Sequence, residues 1–225
     1  MIRSSPLAVL IAKARKRLGG STVDTFTLNR VYMMAVTEMS ESHGPEESAR
    51  RLFEWGYAMG HAYLLKLEKD LRAYPPNLRT VRFIGRLAWY MFSGNDPQVE
   101  AWEEQGPGGP WFHLSIRDPR SPWASGVSIG RRICHYPAGA YEAAGSTFFA
   151  LVEDMGHYVI SRETKCIARG DEHCELTWVA VPRSVPLDEA VRRLRPRFGD
   201  SLDEIPPEVT ADLYEKVFGR VPGGE

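Results

Sequence analysis

The 225-residue sequence has little of several features that would assign it a functional class at once. It contains only three cysteines, its formal net charge is −1, and no apolar run approaches the length of a membrane span. A charge so close to zero creates no global field for nucleic acid or a membrane surface, so we expect neither as a partner. Basic residues follow the short apolar run at 6–12 rather than precede it, which is not the order of a signal peptide. We therefore expect a cytoplasmic protein.

Motifs for catalysis and for nucleotide binding are also missing. The sequence has no glycine-rich phosphate loop and no dinucleotide fingerprint. No nucleophile–histidine–acid arrangement stands out. The acids Glu100, Glu103 and Glu104 are interpreted as a solvated helix face, and so is the basic run at 192–197, with nucleic-acid binding as its weaker alternative. We expect a protein that is not an enzyme and that has no catalytic residues.

Hydrophobic periodicity predicts a helical first half and a mixed second half. Helices are predicted over residues 6–18, 24–39, 45–74 and 78–91. The second half is predicted to contain a strand at 111–116, a helix at 134–155, an antiparallel strand pair at 158–168 and 174–181, and two short helices at 187–194 and 207–218. This order predicts an α+β fold, with a helical N-terminal half packed on a small antiparallel β-sheet. We divide the chain into N-terminal helices (1–44), a central domain (45–181) and a C-terminal helical appendage (182–225).

The most informative segment is the predicted hairpin from Glu163 to Cys174. With Gly170 at the turn, Cys166 and Cys174 face each other, and directly opposed Cβ atoms lie about 4.5–5.5 Å apart. Such a pair can form a disulfide, share a metal or belong to the apolar core, and a reducing cytoplasm disfavours the disulfide. Glu163 is out of step with Cys166 in the strand, so both point at one site only if the strand bulges. With Cys134, three thiolates and one carboxylate would complete a four-coordinate zinc shell.

The same hairpin resembles the closing motif of 4-vinyl reductase domains. That motif has a glutamate, a cysteine three residues later, a Gly-Asp turn, and a second cysteine eight residues after the first. These domains share a superfamily with core subunits of the TRAPP tethering complex and with the ligand sensors of phenol-responsive transcription activators. Residues 52–60 look like the Gly-Tyr-x-x-Gly helix of the TRAPP-like proteins, and residues 83–94 are similar to the next helix. The resemblance covers roughly residues 52–181.

The resemblance implies a zinc site. In the phenol sensors, an upstream cysteine and the Glu, Cys and Cys of the closing motif hold the metal, and the matching residues here are Cys134, Glu163, Cys166 and Cys174. The gap from Cys134 to Glu163 is longer in this chain. A filled four-ligand shell has no open position, so the zinc is expected to be structural. The alternative ligands are His135 and His173, and the cations expected to offset the negative shell are Arg131, Arg132, Lys165 and Arg169.

Two further sites are predicted, and the first lies in the helical half. Gly56 and Gly60 leave a flat stripe on the third helix, which fits either tight packing within the chain or, as the resemblance suggests, a homodimer interface. An apolar ligand pocket is lined mainly by apolar and aromatic side chains with a few polar groups. The candidate residues for such a pocket are His61, His113, Trp89 and Trp111.

Three functions remain open at this point. The first is a non-enzymatic 4-vinyl-reductase-type module with a structural zinc, which binds a small hydrophobic ligand or a protein partner. The second is a TRAPP-like homodimeric scaffold without a ligand. The third is an accessory factor in tetrapyrrole metabolism of the bacteriochlorophyll type, which the reductase label of the family implies. The phenol-binding residues of the sensors do not transfer cleanly to this sequence, so phenol itself is not predicted.

Overall fold

Three helices open the structure, a computed structural model that describes residues 25–72, 74–75, 77–151 and 156–219. They are α1 (Thr25–His43), α2 (Pro45–Leu71) and α3 (Leu78–Ser93). The next elements are β1 (Gln98–Gly106), β2 (Gly109–Asp118), α4 (His135–Leu151), β3 (His157–Lys165), a 3₁₀ turn (Ile167–Arg169) and β4 (Cys174–Pro182). The last helices are α5 (Leu187–Phe198), α6 (Ser201–Glu204) and α7 (Pro207–Phe218). The α+β prediction is confirmed, whereas the predicted helix at 6–18 lies outside the described residues.

Local sequence signals explain where the helices begin and end. Pro45 stands at the start of α2 and is followed by two acids, Glu46 and Glu47, which the positive end of the helix dipole favours. Asn77 caps α3, because its side-chain oxygen accepts the backbone N–H of Thr80 at 3.0 Å. Gly94, with φ of 74°, closes the same helix. None of the described helices is both long and apolar enough to cross a bilayer.

The four strands form one antiparallel sheet in the order β1-β2-β4-β3. Strand β1 was not predicted, and the interpretation of Glu100, Glu103 and Glu104 as a helix face is wrong because all three lie on this edge strand. Strand β1 turns into β2 through Pro107 and Gly108. Charged side chains are a common way to protect an exposed sheet edge from pairing with another chain. The helical interpretation was wrong because these charged residues interrupt the alternation of apolar and polar residues that is typical of a strand.

Helix α4 packs between the inner face of the sheet and α2. A Cβ atom added to Gly56 would lie 1.9 Å from the Tyr136 carbonyl oxygen, and one added to Gly60 would lie 2.1 Å from the Ala140 carbonyl oxygen. On the facing helix, a Cβ at Gly139 would lie 2.0 Å from the Phe53 carbonyl oxygen. The glycines therefore let the α2 and α4 backbones touch within one chain. Of the two interpretations of Gly56 and Gly60, the structure supports tight packing within the chain and not a dimer interface, because α4 already fills the space that a partner helix would need.

We predict that Gly60→Ala destabilises the chain by about 1–3 kcal/mol, because the added methyl forces two helix backbones apart. Helix propensity alone predicts the opposite sign, a gain of about 1 kcal/mol. Urea unfolding measures the difference, and Ala58→Leu on the exposed face of α2 is the control that adds volume without a clash. The loss should not depend on protein concentration. A concentration-dependent loss would return these glycines to a dimer interface.

The C-terminal helices cover part of the outer face of the sheet. A second apolar cluster joins the outer-face strand residues to α5, α6 and α7, and it consists of Trp111, Tyr158, Ile160, Val179, Val181, Val185, Ala190, Leu194, Phe198, Leu202 and Tyr214. The buried Arg162 of β3 adds hydrogen bonds to this segment. Its Nε donates to the Ile205 carbonyl at 3.1 Å, and its Nη2 donates to the Thr210 hydroxyl at 2.9 Å. Residues 182–219 therefore share a core with the sheet and are not a separate appendage.

Candidate metal centre and apolar slot

Four side chains converge at one end of the sheet: Cys134, Glu163, Cys166 and Cys174. Each offers one ligand atom, and these atoms all lie within 4.8 Å of one another. The Sγ atoms of Cys134 and Cys174 are 3.8 Å apart. All four residues are buried. The structure thus brings together the whole predicted ligand set, including Cys134, which comes from a different part of the chain.

Each ligand comes from the end of a secondary-structure element. Cys134 immediately precedes α4, Cys174 begins β4, and Cys166 stands between β3 and the 3₁₀ turn. The pairing register of β3 with β4 shifts between Glu163 and Lys165, which is the predicted bulge. The bulge puts Glu163 and Cys166 on the same site despite their odd spacing.

The turn between the two hairpin cysteines is held by backbone and side-chain hydrogen bonds. The carboxylate of Asp171 accepts the N–H of Cys166 at 2.8 Å, and the carbonyl of Cys166 accepts the N–H groups of Arg169 and Asp171. Gly170 has φ of 113°, a conformation that favours glycine. This compact turn fixes the position of Cys166 relative to Cys174.

The donor atoms fit a cation. Glu163 Oε2 accepts the backbone N–H of Cys134 at 2.8 Å, whereas its buried Oε1 has no hydrogen-bond partner among the described residues. Burial, followed by the neighbouring Cys166, raises the pKa of Glu163 well above its usual range, and burial also raises the pKa of Cys134. Hydrogen bonds from Cys134 and Cys166 instead lower the pKa of Cys174 to about 5. Four acidic groups this close can all ionise only if a positive ion balances them.

The predicted compensating cations are engaged elsewhere. Arg131 donates to the Ser40 hydroxyl at 2.7 Å, and Arg132 pairs with Asp200 and Glu204 at 2.5 Å each. Lys165 and Arg169 pair with Glu175 and Asp200, at 3.6 and 3.2 Å. The alternative ligands also point away, since His135 faces Glu204 at 4.0 Å and His173 faces Glu175 at 3.6 Å. Neither histidine belongs to the group of close ligand atoms found among the described residues.

A narrow apolar slot lies between α2, α3, α4 and the sheet, with a free volume of about 40 Å³. Its lining residues are Leu64, Val81, Ile84, Gly85, Ala88, Leu114, Tyr141, Ala144, Gly145, Phe148 and Trp178. The two polar side chains among them are satisfied internally, because the Tyr141 hydroxyl donates to the Gly85 carbonyl at 2.8 Å and Trp178 Nε1 donates to the Tyr141 carbonyl at 3.1 Å. Among the small residues of the lining, Gly85 and Gly145 are in tight contact, because a Cβ atom added there would lie 2.5 Å from Leu114 and 2.4 Å from Trp178.

The four predicted pocket residues do not line this slot, and the structure does not bring them together. His61 contacts the Thr147 hydroxyl at 2.9 Å, and the buried Trp89 donates from its indole to Asp118 at 2.8 Å. Trp111 and His113 lie on the outer face of the sheet, where both line a different groove. Strand alternation explains the error, because the neighbouring Leu114 faces the slot and His113 therefore faces the opposite side.

The comparisons with known proteins concern the fold. No family model matches the sequence, and no curated protein matches it. Among solved structures, it is similar to subunit 3 of the trafficking protein particle complex (TRAPP) from Naegleria fowleri, which is described as covalently bound to palmitic acid. The TM-score is 0.51 and the identity 17%, over 70% of this chain and 95% of that one. The chain has a TRAPP-like fold.

A second match supports the TRAPP-like fold. It is the phenol-responsive sensory domain of the transcription activator PoxR with phenol, at a TM-score of 0.51 and 15% identity, over 84% of this chain and 96% of that one. A vinyl-4-reductase family protein from Methanocaldococcus jannaschii also matches, at a TM-score of 0.42 and 15% identity, over 80% of this chain and 98% of that one. That score is too low to add to the argument. The fold implied by the closing motif is confirmed.

The four candidate metal ligands were predicted from the sequence, but the apolar slot was not. The apolar face of α3, with Val81, Ile84 and Ala88, was visible in the sequence as one helical stripe. Small residues on α4 and on the facing helix were a further signal, because Gly85 and Gly145 let the side chains of Leu114 and Trp178 pack closely against these helices. Trp89 and Trp111 were wrongly chosen as pocket residues because both pack into the apolar core.

Proposed function

We propose that this chain is a non-enzymatic binding module in which a structural metal holds α4 against the sheet and the apolar slot admits a small hydrophobic ligand. The observation that carries the proposal is the position of α4. Cys134, one of the four metal-ligating candidates, immediately precedes this helix, and about two to four turns further on the same helix supplies Tyr141, Ala144, Gly145 and Phe148 to the slot. The metal would therefore set the position of one wall of the slot.

Zinc is the metal that the donor set favours. Cys134, Cys166 and Cys174 would supply thiolates and Glu163 a carboxylate oxygen, a set that suits four-coordinate Zn²⁺. When bound, the ion supplies folding free energy by joining ligands from three chain segments. We place the protein in the cytoplasm, where thiols stay reduced and available to a metal.

The ligand would be apolar and would need the slot to widen. Palmitic acid and phenol accompany the two structural neighbours, so an acyl chain and a small aromatic ring are the two shapes to test. The free volume of about 40 Å³ is well below the roughly 150 Å³ of an engineered cavity that binds benzene. Binding would therefore separate α3 from α4.

Catalysis is not part of the proposal. Both polar side chains of the slot donate to backbone carbonyls, so they offer a ligand no free acid, base or nucleophile. An accessory role in tetrapyrrole metabolism has no specific observation in its favour.

We predict that Ala144→Leu abolishes ligand binding, because the added side chain fills the slot between α4 and α3. Isothermal titration with phenol and with palmitate measures the loss. Ala150→Leu, near the end of the same helix and outside the slot lining, should bind as the unaltered protein does. If neither compound binds the unaltered protein, or if Ala144→Leu binds them equally well, the ligand-binding function fails.

A second candidate function is a homodimeric scaffold. The observation that favours it is a set of exposed apolar side chains on α1 and α2, namely Val31, Met34, Trp55 and Met59. Large exposed apolar side chains often mark a surface that binds another protein. Gly56 and Gly60 face α4 and these side chains face solvent, so a dimer would use the exposed sides of α1 and α2. A monomeric mass in light scattering would remove this candidate.

A further inference from the structure

The outer face of the sheet carries a groove that the proposed function does not use. It has two adjoining parts, of about 280 and 550 Å³, which share Pro196 and Arg197 at the end of α5. We call it the cationic groove and define it by Ser115, Arg117, Lys165, Arg169, Thr177 and Arg197. Both parts lie on the opposite side of the sheet from the apolar slot, since β2 sends Leu114 to the slot and the flanking His113 and Ser115 to the groove.

Arg197 is held in place at the junction of the two parts. Its guanidinium donates to Nδ1 of His113 at 2.6 Å and lies 4.7 Å from the ring centroid of Trp102. The ring of Trp102 in turn stacks on His113, with centroids 5.0 Å apart and planes 7° apart. Among the described residues, no carboxylate pairs with Arg197. A fixed guanidinium without an internal counter-ion is a ready receptor for an anion.

The tautomer of His113 adds a second unused donor. Arginine can only donate hydrogen bonds, so Nδ1 of His113 must accept, and Nε2 therefore carries the hydrogen. His113 is 1% exposed, and its Nε2 has no hydrogen-bond partner among the described residues, although a Glu104 oxygen lies 3.3 Å away. The Glu104 side chain is 62% exposed, so a ligand that replaced it at Nε2 would leave its carboxylate in contact with water. The smaller part of the groove thus presents a buried N–H next to Arg197.

Most of the cations in the larger part are paired with acids. Its lining includes the cations Arg117, Arg132, Lys165, Arg169 and Arg197 and the acids Asp171, Glu175 and Asp200. Two of these acids each face two cations, because Glu175 contacts Arg117 and Lys165, and Asp200 contacts Arg132 and Arg169. Glu100 and Glu204, which lie outside this lining, pair with Arg117 and Arg132 as well, so Arg197 is the lining cation that no carboxylate neutralises among the described residues.

We propose that the cationic groove binds a phosphate monoester. Arg197 and the Nε2–H group of His113 would hold the phosphate at the junction, with Arg117 and Lys165 facing it from the larger part. Ser115 and Thr177 also line the larger part, where their hydroxyls bond Glu175 and Thr164, and Trp102 supplies an aromatic edge, so the remainder of the ligand would be a polar body such as a glycerol or sugar. The volume of the larger part, about 550 Å³, is in the range of small-molecule sites.

The test uses glycerol phosphate as a soluble probe and phosphatidylcholine vesicles with and without phosphatidic acid as a membrane probe. Both carry the same phosphate monoester, so the probe that binds tells whether the phosphate is free or part of a lipid. Isothermal titration and vesicle sedimentation measure the two. Arg197→Gln should weaken binding of the active probe at least about tenfold, a change of about 1.4 kcal/mol. Arg117→Gln, which leaves the Trp102–His113 stack intact, should weaken it by a smaller factor.

A matched control separates the site from the general charge of the protein. Arg50→Gln removes the same charge from α2, in the helical layer on the other side of the sheet, and should leave binding unchanged. If neither probe binds, or if Arg197→Gln and Arg117→Gln both bind as the unaltered chain does, the inference is overturned. A loss that is equal in Arg50→Gln also overturns it, because attraction by net charge would then explain the binding.

Discussion

Replacing Cys174 by serine is expected to remove the bound metal and to lower the midpoint of thermal unfolding by about 10–20 °C. The proposed metal would join the residue before α4 to both strands of the closing hairpin, so its loss would free three chain segments at once. A structural zinc contributes its binding free energy to folding. If about 5 kcal/mol is lost, a chain of this size should shift by about 2–4 °C for each kcal/mol. Differential scanning calorimetry with metal analysis of the same samples measures both effects.

Two controls make this result specific. Ser161→Ala, on the same strand as Glu163, removes a buried hydroxyl oxygen that has no hydrogen-bond partner among the described residues, so it should leave the midpoint and the metal content nearly unchanged. A strong chelator should lower the midpoint of the unaltered protein by the same amount and have no further effect on Cys174→Ser. An unaltered chain that is metal-free and equally stable with and without chelator would contradict the account.

Replacing Arg162 by methionine is expected to cost about 3–5 kcal/mol of folding free energy, because it leaves a buried carboxylate without its counter-ion. The guanidinium of Arg162 contacts the Glu142 carboxylate at 2.7 Å, and these side chains are 1% and 0% exposed. It also donates to Ile205 and Thr210, which belong to the C-terminal segment. Urea unfolding measures the loss, and limited proteolysis should show earlier cleavage after residue 182.

The loss in Arg162→Met should shrink as the pH falls. Burial already raises the pKa of Glu142 above its usual range, and removal of the guanidinium raises it further. The folded variant then binds a proton more readily than the unfolded chain, so its stability falls as the pH rises through the range between the two pKa values. The double variant Glu142→Gln with Arg162→Met should be less destabilised than Arg162→Met alone. A loss that is independent of pH and additive in the double variant would contradict the role of the ion pair.

The candidate metal ligands could be predicted from the sequence because most of them lie close together along the chain. Three of the four candidate ligands lie within twelve residues. Glu163 and Cys166 are three residues apart, so a regular strand would point them to opposite faces, and this spacing predicted the bulge that the structure contains. Cys134 came from the resemblance, and it lies where the resemblance put it. The stripe of Gly56 and Gly60 was also visible, but small residues on one helix do not tell whether the approaching backbone belongs to the same chain.

The residues that line the apolar slot could not be predicted, because they depend on which strand face meets which helix. Trp111 and His113 were chosen for their residue types, yet the register of β2 places them on the outer face, with the C-terminal helices. Strand β1 was missed because its charged positions look like a solvated helix. The fold class was predicted correctly despite these errors, because the long, periodic helices and the closing hairpin determine it. The C-terminal segment was misjudged for a related reason, because nothing in residues 182–219 reveals the buried Arg162 that they cover.

Native mass spectrometry of the purified chain tests the central claim most directly, because one spectrum reports metal, co-purified ligand and oligomeric state together. The account predicts one zinc ion per chain, lost from Cys174→Ser and retained in Ser161→Ala. It also predicts that added phenol or palmitate gives a one-to-one adduct with the unaltered protein and none with Ala144→Leu. A chain that carries no metal even after zinc is supplied, and that gives the same adducts with and without the slot-filling side chain, would contradict it.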